Sequence, residues 1–106
     1  MPAYVVAQMT VHDPDALREY ARLAPPFVQK YGGRYLTRGG PLTCLEGTHS
    51  DARTVVSVWP SVEHAKAFFA DPGYREVAAL REAASTMELL FVQDGIEYTD
   101  APEPGV

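Results

Sequence analysis

Two arginines, a carboxylate and a tyrosine set between glycine pairs have the most chemistry to offer in this sequence. Arg34, Tyr35 and Arg38 lie between Gly32-Gly33 and Gly39-Gly40, and a second run closes on Leu45-Glu46-Gly47. Arg81 falls on the inward stripe Tyr74, Val77, Ala78, Arg81, Ala84 of a helical pattern. A guanidinium taken out of water needs a carboxylate or several carbonyls, because an unpaired buried charge is costly. Glu46, at a strand end beside a glycine, is the expected partner. The pair then has two readings. It is an ion pair locking helix to sheet, or it is part of a site. In the site, Arg38 and Arg81 bind anionic oxygen, and a desolvated Glu46 acts as general base. His12 is the alternative proton carrier, since its unperturbed pKa lies near neutrality. Tyr35 could hydrogen-bond a ligand carbonyl, with core packing as its competing use. Trp59 lines a pocket mouth or fills a dimer interface. Alternation puts Arg34, Leu36 and Arg38 on one side of the ribbon and Tyr35 and Thr37 on the other. A bulge is expected at Gly39-Gly40.

Other chemistries find no support. His12, His49 and His64 are far apart without HxH or HExxH spacing, so no metal is expected. The single cysteine, Cys44, excludes an internal disulfide and has no flanking basic residue to activate it. Ser57 and Ser85 lack a nucleophile setting, and the glycine pairs form neither GxxxxGK[ST] nor GxGxxG, so no nucleotide cofactor is implied. With a net charge of −5 and no basic cluster, nucleic acid and anionic membrane are poor partners. No apolar run reaches membrane-spanning length and the first residues lack a signal pattern, so a cytoplasmic protein is expected.

The elements that must position these residues are legible. At 106 residues, 46% of them hydrophobic, the chain makes one domain. Ala3 to Val11 is a strand with Val5, Ala7, Met9 and Val11 on one apolar face. Asp13-Pro14 caps a helix that Pro25-Pro26 should kink near Ala24. Strands are expected at Arg34–Arg38 and Leu42–Glu46, then a polar turn over 47–52, then a strand at Arg53–Trp59. Ser61 and Asp71-Pro72 cap two further helical pieces, the second running to Ala84. Met87–Val92 is the last strand and Asp94-Gly95 a turn. This order is the α+β ferredoxin-like βαββαβ sandwich, with a domain over 2–97 and a mobile tail over 98–106. Its outer sheet face, carrying Tyr4 and Val6, is too apolar for a monomer, so a homodimer is expected.

Tyr20, Pro25-Pro26, YGGRYL at 31–36, Arg38-Gly39-Gly40, Leu45-Glu46-Gly47, Ala65, Tyr74, Arg81 and Asp94-Gly95 together resemble the family known as domain of unknown function 1330. The resemblance runs from the first strand to Gly95. It implies ferredoxin-like domains paired into a dimeric α/β barrel. The wider superfamily includes cofactor-free monooxygenases, muconolactone isomerase-like enzymes, polyketide cyclases and haem-binding members. The resemblance bears on fold and dimer and leaves the chemistry open: a cofactor-free small-molecule enzyme, a non-catalytic ligand-binding or stress-associated accessory dimer, or a purely structural dimer module. Trp59-Pro60 departs from the pattern, where an aromatic that is often Phe precedes the proline.

Overall fold

Strict alternation and three side-chain caps decide the architecture. The computed structural model describes residues 2–48 and 52–95. The tail expected over 98–106 lies outside the described residues. Strand β1 (Ala3–Val11) buries Ala3, Val5, Ala7 and Met9 on one face. Helix α1 (Pro14–Leu23) opens where the Asp13 carboxylate accepts from the Ala16 N–H, with Pro14 in the first turn. Pro25 and Pro26 cannot donate, so the helical ladder breaks at Ala24 and restarts as α2 (Pro25–Lys30). The kink falls at the expected residue. Gly32 then takes φ +78, and Gly33 passes so close to the Trp59 indole that a Cβ there would sit 2.6 Å from the ring.

Strand β2 (Arg34–Arg38) pairs with β3 (Arg53–Trp59), β3 with β1, and β1 with β4 (Ser85–Asp94). All pairings are antiparallel and the order is β2-β3-β1-β4. Ser61 caps α3 (Val62–Ala70), and Asp71 caps α4 (Pro72–Ala84) by accepting from the Tyr74 N–H. The helices cover one sheet face. Between them and the sheet lie two apolar clusters, one around Val5, Val28, Trp59, Phe68 and Tyr74, the other around Ala7, Met9, Leu17 and Ala84.

Three expectations need correction. Residues 42–46 are not a strand: Pro41 lacks a donor, and the whole stretch is exposed, with Leu45 90% accessible. The bulge lies at Leu36, not at the glycine pair, because the register shifts between Tyr35 and Thr37. Tyr35 and Arg38 therefore share a face. Finally, β4 begins at Ser85 and extends through Asp94, so Asp94 belongs to the strand.

Candidate functional site

A cavity of about 300 Å³ lies between the helices and the covered sheet face. Four successive inward residues of β3, Arg53, Val55, Ser57 and Trp59, run along its floor beside Val5, Ala7 and Met9 of β1. At two residues per row the floor is roughly 20 Å long. Tyr20, Tyr74, Phe68 and Arg81 come down from the helices. The walls contain three arginines, Arg38, Arg53 and Arg81, and no carboxylate or imidazole among the described residues. In a protein with a net charge of −5, this is a local reversal of sign.

Arg81 is the deepest of these cations, 6% exposed. Its stripe position on α4 carries it inward, as the helical spacing predicts. The structure does not pair it with Glu46. Among the described residues its nearest carboxylate oxygen is Glu82 Oε1, at 4.0 Å on the exposed side of the same helix. Its guanidinium lies 5.8 Å from the centroid of the Tyr20 ring. Among the described residues it donates no hydrogen bond to a side chain or carbonyl. A largely desolvated guanidinium with spare donors in a cavity wall suits an anionic oxygen.

Two hydrogen-bonded pairs complete the polar lining. Tyr20 and Tyr74 share a hydrogen bond of 2.7 Å, which leaves one O–H hydrogen of the pair to donate elsewhere. Burial first, and the Tyr74 hydroxyl second, push the Tyr20 pKa up, so this phenol stays neutral and keeps its hydrogen. Burial likewise raises Tyr35. On the floor, Trp59 Nε1 donates to Ser57 Oγ at 2.9 Å. The Ser57 hydrogen has no acceptor among the described residues. Arg38 stacks at 4.4 Å over the Tyr35 ring and donates to the Ala21 carbonyl at 3.0 Å, which ties β2 to α1. Arg53 lies over Gly39, whose missing side chain makes room: a Cβ there would meet Arg53 Cγ at 2.5 Å.

The structure thus brings Tyr35, Arg38, Trp59 and Arg81 to one cavity. Glu46 and His12 lie apart from it. Glu46 is exposed in the irregular segment after Pro41, where no ladder turns it toward the sheet. His12 is exposed and bonds Thr86 Oγ1 at 2.7 Å, because its backbone N–H and that of Asp13 are tied to the Ala84 carbonyl at the end of α4. Ser57, Tyr20, Tyr74 and Arg53 were missed as lining residues. For Ser57 and Arg53 the signal was available: both share strand parity with Val55 and Trp59.

The architecture makes this a ferredoxin-like α+β domain with its cavity between sheet and helices. The chain belongs to the family described as Domain of unknown function (DUF1330), which it matches over residues 2–95. No curated protein matches it. It is similar to the crystal structure of RPA0582, a protein of unknown function from Rhodopseudomonas palustris. That likeness has a TM-score of 0.72 at 22% identity and covers 92% of this chain and 84% of that one. It is also similar to SnoaB, a cofactor-independent oxygenase from Streptomyces nogalater. There the TM-score is 0.62 at 20% identity, covering 94% and 98%. At these identities the likeness is one of fold. No helix among the described residues is long and apolar enough to cross a membrane.

Proposed function

We propose that this protein binds a small oxygenated or carboxylated metabolite as its anion in the cavity, and acts on it without a resident cofactor. The observation that carries the reading is Arg81: a guanidinium held in the wall of an apolar cavity that has no carboxylate in its lining among the described residues, with only the exposed Glu82 within 4.0 Å and no hydrogen bond to it. Its lost hydration is recovered when an anionic oxygen binds. Fold similarity to a cofactor-independent oxygenase supports oxidation as the reaction. In such chemistry a phenolate or enolate form of the substrate, rather than a carboxylate, is oxidised as it supplies electrons to dioxygen. Arginines and neutral phenols would hold that anion, and the cavity would keep water from it. Proton-transfer isomerisation or cyclisation of the same anion is the nearest variant.

Ligand binding without turnover is the second reading. It is favoured by the absence of a carboxylate or imidazole from the cavity wall among the described residues. Thermal-shift measurements with arylcarboxylic acids and their methyl esters test the shared core of both readings. The acid should stabilise the protein, by about 2.7 kcal/mol at a hundredfold excess over Kd, and Arg81→Met should reduce the acid's effect to that of its ester. Acid and ester acting alike would overturn the proposal. Oxygen uptake and product mass with the acids that bind then separate turnover from binding.

We further propose a homodimer joined through the outer sheet face. Tyr4, Val6, Val56, Val58, Leu89 and Phe91 lie together there by strand register, and Tyr4, Leu89 and Phe91 are exposed. An apolar patch of this kind is rarely left to water. Sedimentation should give a dimer at micromolar concentration. A stable monomer would overturn this part alone.

A further inference from the structure

The cavity is not uniform along its length. Trp59, Phe68 and Tyr74 pack together at one end, with ring centroids 4.8 Å apart for Trp59 and Phe68 and 4.0 Å for Phe68 and Tyr74. Arg81 lies two helical turns beyond Tyr74, roughly 10 Å along α4, and one turn before Ala84, which packs with Met9 and Leu17. Arg53 is the register partner of Met9, at that same end, and Arg38 is opposite Val55 in the middle row. Arg53 and Arg81 therefore lie toward one end and Trp59 and Phe68 toward the other, with Arg38 between them against Tyr35, and with Tyr20 reaching from Arg81 to Tyr74.

Ser57 lies on the aromatic side, opposite Val5 and Tyr35. It is 5% exposed and lines the cavity. Because the Trp59 indole already donates to its oxygen, the Ser57 hydroxyl is oriented as a donor with nothing protein-borne to receive its hydrogen among the described residues. A buried donor left open beside a cavity is matched by an acceptor on a ligand.

We infer that the ligand is a planar, two-ended molecule: an aromatic carboxylic acid whose far end carries a carbonyl oxygen. The carboxylate meets Arg81, the ring system lies toward Phe68 and Tyr74, and the carbonyl accepts from Ser57. Trp59 is a positioning residue that fixes the Ser57 hydroxyl. Arg53 and Ser57 are about four strand residues apart, roughly 14 Å at the backbone. Side chains reaching inward from both poles shorten the gap to the length of a substituted fused bicycle. This inference rests on the anion reading above and adds direction and a second recognition point to it.

Calorimetric titration with 6-acetyl-2-naphthoate, 2-naphthoate and methyl 6-acetyl-2-naphthoate separates the two. The wild-type protein should bind the acetyl acid about 5–10-fold more tightly than plain naphthoate, the worth of one neutral hydrogen bond. The ester should be weaker than its acid by about tenfold or more. Ser57→Ala should erase the acetyl preference while leaving the acid-over-ester preference intact, and Arg81→Met should do the reverse. Both preferences are ratios within one variant, so a loss of stability shifts their two members together. Should Ser57→Ala fold poorly, Trp59→Phe, which keeps a ring but frees the hydroxyl, should shrink the acetyl preference instead. An acetyl preference that is absent in the wild type, or survives Ser57→Ala, overturns the two-ended ligand while the anion site stands. Acid and ester binding alike, or none of the three binding, overturns both.

Discussion

Asp71 and Arg81 are two buried charges on one helical unit, ten residues apart in sequence, and the fold treats them in opposite ways. Asp71 caps α4 through the Tyr74 N–H at 3.0 Å. It also accepts from Tyr31 at 2.6 Å and from Lys30 at 2.9 Å, so its carboxylate ties the end of α2 to the α3–α4 junction. The Tyr31 hydroxyl, then Lys30, hold its pKa well below the usual carboxylate range. Arg81 has a comparable degree of burial and no such set of partners. A buried charge whose bonds are all made stabilises a fold. One whose donors are left open contributes less, unless water or a ligand takes them up.

The largest expected effect on stability is at Asp71. Asp71→Ala removes three hydrogen bonds at once, the α4 cap among them, leaving Tyr31 without its acceptor, and should lower the melting temperature far more than any change at Arg81. Acid should act in the same direction. Because the folded pKa is depressed below the ordinary 3.8, the stabilisation is present above that value and is lost as pH falls toward the folded pKa. Melts of wild type and Asp71→Asn should therefore differ most at neutral pH and converge below about pH 4. A difference that persists unchanged into acid would mean the carboxylate's charge contributes little. Arg81→Met should leave the melting temperature unchanged or raise it slightly, because an apolar side chain of similar length suits the cavity wall without the cost of desolvating a charge. Marked destabilisation by Arg81→Met would erase the contrast between the two residues.

How far this contrast could be read in advance depends on which physics each residue obeys. The α4 stripe is a local, periodic signal, and it carried Arg81 inward; caps at Asp13, Ser61 and Asp71 are equally local and were legible. The whole βαββαβ order followed from them. Partner choice is not local. Glu46 looked like the counter-charge only because residues 42–46 read as a strand, and nothing in that stretch alone says that Pro41 and its glycines leave the ladder unformed. The bulge at Leu36 has the same character. One skipped residue moved Arg38 onto the face of Tyr35 and left the Arg34 side, and it is set by pairing with β3 rather than by any residue type. His12 was placed near the right strand end, but two backbone bonds to Ala84 fix it at the surface.

The smallest expected effect is the sharpest test of whether Arg81 is unpartnered. If Arg81 and Glu46 formed a hidden pair, either single change would strand a charge, and the double change to Met and Gln would recover much of the loss. The structure gives Glu46 an exposed position in an irregular segment outside the cavity lining and places Arg81 in that lining, beside the Tyr20 ring. Glu46→Gln should therefore change stability by no more than about 0.5 kcal/mol, as exposed substitutions do. Glu46→Gln combined with Arg81→Met should equal the sum of the singles within about 0.3–0.5 kcal/mol. Chemical denaturation of the four proteins measures this coupling directly. A coupling above about 1 kcal/mol would mean that the segment after Gly39 folds down onto the cavity and supplies the carboxylate. Arg81 would then be a second Asp71, a structural charge with its partner in the chain, and the anion site would lose its main support.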